Sequence, residues 1–143
     1  MSRISDYIKE MVEIYGDKVT FTKSTYDENT LSLVPQALRE FYTEYSKVDL
    51  PFGYIYSIEN SLKDSEAEPF KSEGWFSFGF DGYFSYWLCL FTPDSDNLLF
   101  TYWDHESGAE IGGAVYKDII EFLEDIRTEY EENKDEWEDE DEL

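Results

Sequence analysis

A single histidine and a single cysteine set the limits on the chemistry open to this 143-residue chain. With His105 as the only imidazole, neither a multi-histidine metal site nor an HExxH helix can form. With Cys89 as the only thiol, dithiol redox chemistry and an intramolecular disulfide are both impossible. A Cys89–His105 nucleophile–base dyad is conceivable, because the two residues fall on or beside neighbouring strands. Cys89, however, lies inside Tyr86-Trp87-Leu88-Cys89-Leu90-Phe91, and a cysteine in such an apolar run is ordinarily core filler. Asp94-Ser95-Asp96-Asn97 has the alternating acids of a calcium loop. An EF-hand needs a Gly at its sixth position and a Glu at its twelfth, where Leu99 and His105 stand, so the stretch reads as a hairpin turn. The glycines match neither GxGxxG nor GxxxxGK[ST], so no phosphate loop is expected. Trp103-Asp104-His105-Glu106 is the most chemically mixed stretch and reads as a strand end with an exposed polar turn. Paired carboxylates remain open to a hydrolase, but acids are too abundant to single out a pair. The sequence therefore predicts no catalytic residue, no metal site and no cofactor.

Charge points instead to binding. Thirty-four acids against eleven Lys and Arg give a formal net charge of −23. Residues Glu129 to Leu143 carry −9 of it, which leaves −14 on residues 1–128, so the body is acidic as well as the tail. Such a field repels nucleic acid and anionic membranes and draws in cationic partners. A basic protein is the expected partner, with no direct nucleic-acid binding and no membrane contact. The lone cysteine suits a reducing compartment. The N-terminal MSRISDYIKEMVEIYG has no unbroken apolar stretch and no small-residue cleavage site, and the chain has no run of membrane-spanning length. A cytoplasmic location is expected.

The elements that must position these groups follow from periodicity. A hydrophobic fraction of 41% with 19% aromatics argues for a packed globule with aromatic-rich strands. Ile4, Ile8, Met11, Val12 and Tyr15 recur at helical spacing between the capping candidate Ser2 and the stop Gly16. Val19 and Phe21 suggest a short edge strand within 17–23, and residues 24–33 read as a polar loop. Pro35 sits in the first turn of a second helix bearing Leu38, Phe41, Tyr42 and Tyr45 on one face. Residues 54–58 read as a strand, and 60–73 as a polar connection with at most one helical turn. Trp75 to Phe80 leads into Asp81-Gly82, a tight-turn dipeptide, and Tyr83 to Phe91 returns as the next strand. Residues 93–97 form a second turn, Leu98 to Trp103 a further strand, and Ile111 to Val115 a last short one. Tyr116, Ile119, Ile120, Leu123, Ile126 and Tyr130 form the stripe of a long C-terminal helix. The pattern predicts an α+β fold: a central antiparallel meander of five to six strands flanked by helices, in one domain over 1–132. An acidic, disordered tail is expected over 133–143. Asp94, Asp96, Asp104 and Glu106 fall in turns at strand ends, where they could converge on one edge of the meander. Tyr83, Tyr86 and Trp103 are the candidate apolar anchors of that surface.

The order of these features resembles the SUKH superfamily, which includes bacterial immunity proteins and fungal glucan-synthesis regulators. Leu33-Val34-Pro35 opens a helix carrying Leu38 and Phe41, as the family's leucine–proline does. Trp75 to Gly82 is similar to its apolar strand entering a Gly/Asp turn, and Tyr83 to Leu90 to the aromatic strand that follows. Leu99 to Glu106 is similar to its strand ending in Trp-Asp-His-Glu, and Tyr116 to Leu123 to its terminal helix. The likeness covers roughly residues 30–126; where the family often has Asn-Gly after the second helix, this chain has Tyr45-Ser46-Lys47-Val48. The resemblance implies a binding protein without an active site, an immunity protein that holds a toxin, often a nuclease, in a harmless complex. The fungal members imply the alternative, a regulatory scaffold module in cell-wall or glucan-synthesis signalling, and a small carboxylate-dependent hydrolase is a third reading. The oligomeric state is left open.

Overall fold

The computed structural model describes residues 3–81, 85–104 and 111–133. Helix α1 (Arg3–Tyr15) is followed by a 3-10 turn (Gly16–Lys18) and strand β1 (Thr20–Lys23). Then come α2 (Glu28–Leu31), α3 (Gln36–Glu44), β2 (Tyr45–Leu50), β3 (Gly53–Ile55), α4 (Ile58–Ser65) and α5 (Phe70–Glu73). Strands β4 (Trp75–Phe80), β5 (Ser85–Leu90) and β6 (Phe100–Asp104) precede the long helix α6 (Ile119–Glu132). The six strands form one sheet in the order β1-β2-β3-β4-β5-β6, each antiparallel to its neighbour. The expected α+β architecture, a six-stranded antiparallel meander flanked by helices, is present. Among the described residues no helix is long and apolar enough to cross a membrane.

Alternation along β5 divides the sheet into two faces. Trp87 and Cys89 enter the main core with Val48, Ile55, Phe76, Phe78 and Phe100, against the apolar faces of α1, α3 and α6. Tyr86, Leu88 and Leu90 point the other way, into a smaller cluster with Phe70 of α5, Trp75, Ile111 and Ala114. Phe122 joins α6 to the main core, its ring 5.4 to 6.0 Å from those of Tyr116, Trp87, Phe78 and Phe100. Aspartates and serines set the helix starts: Asp118 accepts from the Glu121 amide at 2.9 Å, and Ser57 from the Asn60 amide at 3.3 Å.

Several sequence-based boundaries are corrected. Tyr45 belongs to β2, a strand absent from the sequence reading, and not to the second helix. The cause is a β-bulge: Thr22 pairs with Lys47 but Lys23 with Tyr45, so Ser46 is the extra residue. Tyr45 and Val48 therefore reach one core at a spacing of three, which imitates a helix. Residues 111–115 do not form a strand, and only an isolated bridge joins Phe100 to Tyr116. Tyr116 consequently precedes α6, which starts three residues later at Ile119. The polar segments held two short helices more than expected, α2 with its Asp27 cap and α4–α5 in place of a single turn. Val12 lies on the exposed side of α1. Strand β5 is described from Ser85, and its expected start at Tyr83 lies outside the described residues. Phe80 pairs with Tyr86, and the Asp81 amide donates to the Ser85 carbonyl at 3.1 Å. Ser2, Gly82 and the expected tail beyond Asn133 lie outside the described residues.

Candidate functional site

Register brings one residue from every strand into line across the sheet. Thr20 pairs with Asp49, Asp49 with Tyr54, Tyr54 with Phe80, Phe80 with Tyr86, and Tyr86 with Trp103. Directly opposed residues share a face, so these side chains form a continuous row on the face away from the main core. Four of the six are aromatic. Ring centroids are 6.2 Å apart for Tyr54–Phe80, 4.9 Å for Phe80–Tyr86 and 6.1 Å for the stacked Tyr86–Trp103 pair. Phe70 of α5 covers the far end, 5.5 Å from Tyr86 and 5.7 Å from Trp103. Tyr54 is exposed, while Phe80, Tyr86 and Trp103 are half-buried. The smaller core thus emerges at this row instead of closing over it.

Carboxylates border the aromatics. Asp49 sits in the row and accepts from the Thr20 hydroxyl at 3.1 Å. Asp64, in the last turn of α4, accepts from the Ser77 hydroxyl at 2.6 Å, while Ser65 Oγ accepts from the Ser77 amide at 2.8 Å. These two bonds satisfy the edge of β4 where the short β3 no longer reaches it. Asp81 follows the row's Phe80, its Oδ1 accepting from the Ser85 amide at 3.2 Å. Burial, followed by the nearby carboxylates, raises the phenol pKa of Tyr54, and burial followed by Asp64 raises those of Tyr56 and Tyr86. The carboxylates thus add to burial in disfavouring negative charge on these phenols. Across the sheet from the row, burial first, then Asp125 and Asp81, raises the Glu129 carboxyl on α6.

The residues expected from sequence divide into three groups. Tyr86 and Trp103 stack within the row, and Asp104 lies opposite Ser85 at the same end of the sheet. Asp94 and Asp96 lie on the same edge strand connection but at the other end of β6, about 14 Å away by strand rise alone at about 3.4 Å per residue. Asp94 is engaged in its own turn, Oδ1 accepting from the Asp96 amide at 2.8 Å and the Leu98 amide at 2.9 Å. The structure therefore does not bring Asp94 and Asp96 together with Asp104. Tyr83, His105 and Glu106 lie outside the described residues. The sequence reading missed Asp49, Tyr54, Phe80, Asp64 and Asp81. Tyr54 and Phe80 were each on an expected strand, but only the register of β3 on β4 places them side by side.

Cys89 is fully buried between the sheet and the main core, and burial pushes its thiol pKa up. Its reaction with an aromatic disulfide at pH 8 is expected to be at least about 100-fold slower in the native protein than in urea, because attack must await opening of the core. Labelling at the unfolded rate would place Cys89 at the surface. Among the described residues no group of three or more His, Cys, Asp or Glu side chains is arranged to hold a metal ion. Neither the family models, the curated proteins nor the solved structures contain a match to this chain.

Proposed function

We propose that this chain is a non-catalytic binding protein that captures a basic protein on the aromatic row of its sheet. The SUKH resemblance makes the partner a toxin domain of nuclease type, neutralised by direct binding in the cytoplasm, where the lone thiol stays reduced. The observation that carries the reading is the row itself, Tyr54-Phe80-Tyr86-Trp103, bordered by Asp49, Asp64 and Asp81. Interface centres favour aromatic anchors held on rigid elements, and a sheet across four paired strands holds them without the entropy cost of ordering a loop. The net charge of −23 selects the partner's sign. A nuclease that grips phosphates with Lys and Arg presents the complementary surface.

Immobilised protein incubated with a lysate of its native cell is expected to retain a cationic protein. Tyr54→Ala, at an exposed position, is expected to weaken that complex by about tenfold or more. The partner expressed alone should arrest growth, and co-expression of this chain should relieve the arrest. Recovery of no cationic partner, or full affinity in Tyr54→Ala, would overturn the reading. A partner without toxicity would support the regulatory scaffold instead.

A further inference from the structure

Where α4 passes the exposed end of the aromatic row, two adjoining tyrosines lie beside one carboxylate. Tyr54 and Tyr56 have ring centroids 5.5 Å apart and planes inclined at 58°, so they form two walls of a wedge. Tyr86 stands on the far side of Phe80, whose ring is 6.2 Å from that of Tyr54 and 4.9 Å from that of Tyr86. Asp64 is oriented by the Ser77 hydroxyl on Oδ2 at 2.6 Å, which leaves Oδ1 as an acceptor. Beside it runs a groove of about 330 Å³ lined by Tyr56, Asn60, Lys63, Asp64 and Ala67.

We infer that Tyr54, Tyr56 and Asp64 form a receptor for one arginine side chain of the partner. The inference rests on the binding role proposed above and names its anchor. A guanidinium is planar and weakly hydrated, so it can lie against a tyrosine face while its forked N–H groups reach a carboxylate. An ammonium meets the carboxylate but gains less from the aromatic walls, and an anion is repelled by Asp64 and by the chain's field. Lys63 lines the same groove and opposes the incoming charge, so its removal should tighten binding. The Asp64 carboxylate is held by its Ser77 bond before any ligand arrives, which lowers the ordering cost of binding.

The test is a titration of the full chain, followed by backbone amide NMR, with three short alanine peptides carrying one arginine, one lysine or one citrulline. The arginine peptide is expected to shift the amides of Tyr56 and Asp64, to bind several-fold tighter than the lysine peptide, and to outbind the uncharged citrulline peptide by about tenfold. Asp64→Asn, whose amide oxygen can still accept from Ser77, should lose about tenfold in arginine affinity, and Tyr56→Leu a comparable amount. Lys63→Ala should gain. Asp94→Asn makes the same change in net charge at the other end of β6 and should leave affinity unaltered. Equal binding of arginine and citrulline peptides, or equal loss in Asp94→Asn and Asp64→Asn, would overturn the inference. Capture of a basic protein without selective arginine binding would overturn the receptor and leave the binding role standing. Selective arginine binding without a protein partner would support the receptor and count against the binding role.

Discussion

Gly53→Ala is expected to cost more stability than any other single methyl added to the sheet. The Trp87 indole lies flat across Gly53 and Gly79 on the core face, fully buried. A Cβ on Gly53 would stand 2.6 Å from Trp87 Cη2 and 2.9 Å from the Phe80 carbonyl oxygen; on Gly79 it would stand 2.5 Å from the Tyr54 carbonyl and 2.7 Å from Trp87 Cε3. The indole cannot retreat, because Phe122 packs edge-on at 5.5 Å and Phe78 at 6.2 Å. Overpacking of this kind costs about 1–3 kcal/mol. Gly53 adds a φ of +148°, a region that L side chains resist, for roughly another 1–3 kcal/mol. Against a typical stability of about 5–15 kcal/mol, Gly53→Ala should move the urea midpoint far more than Gly79→Ala. Trp87→Leu discriminates between the two causes. It removes the clash and also a buried Nε1 that has no hydrogen-bond partner among the described residues. It should therefore rescue Gly79→Ala substantially and Gly53→Ala only in part. A change below about 0.5 kcal/mol in Gly53→Ala would show that the indole does not rest on the glycines.

The association rate with a basic partner is expected to fall about 10- to 100-fold between low salt and 1 M salt. A charge of −23 on 143 residues creates a field that extends well beyond contact at low ionic strength. At 1 M salt the Debye length is only about 3 Å, so the steering is lost before the surfaces meet. Dissociation should respond in the opposite sense to the two perturbations: little to salt, strongly to Tyr54→Ala, because desolvated aromatic anchors are not screened. Stopped-flow association and surface dissociation measured over one salt series separate the two. An association rate indifferent to salt would show that the acidic surface does not steer the encounter.

Much of this molecule could be read from pattern alone. The α1 stripe, the α3 start at Pro35, the alternation in β5 and the α6 stripe are local periodicities, and a meander of sequential hairpins makes local reading sufficient for most of its topology. The failures share a physical cause. The bulge at Ser46 disguised β2 as a continued helix, because a two-for-one pairing replaces period two with a spacing of three. Ile111 and Ala114, also three apart, are buried with Phe70 and Trp75 without strand pairing, so burial there carried no strand.

The candidate site was legible only in its chemistry. Acidic charge, a single thiol in an apolar run and abundant Tyr, Phe and Trp already directed the reading toward binding through aromatics and carboxylates. Which of the twelve tyrosines and thirty-four acids share a surface is a question of register, and register is a relation between strands. Tertiary structure alone aligned Asp49, Tyr54, Phe80, Tyr86 and Trp103 across five strands. It also set Asp64 beside them from α4 through its bond to Ser77, and held Asp94 and Asp96 at the opposite end of β6. Composition determined what this chain can attract, since charge and residue type are properties of single residues. Pairing decided which side chains share a surface, since a one-residue shift in any strand would turn that strand's member of the row to the other face.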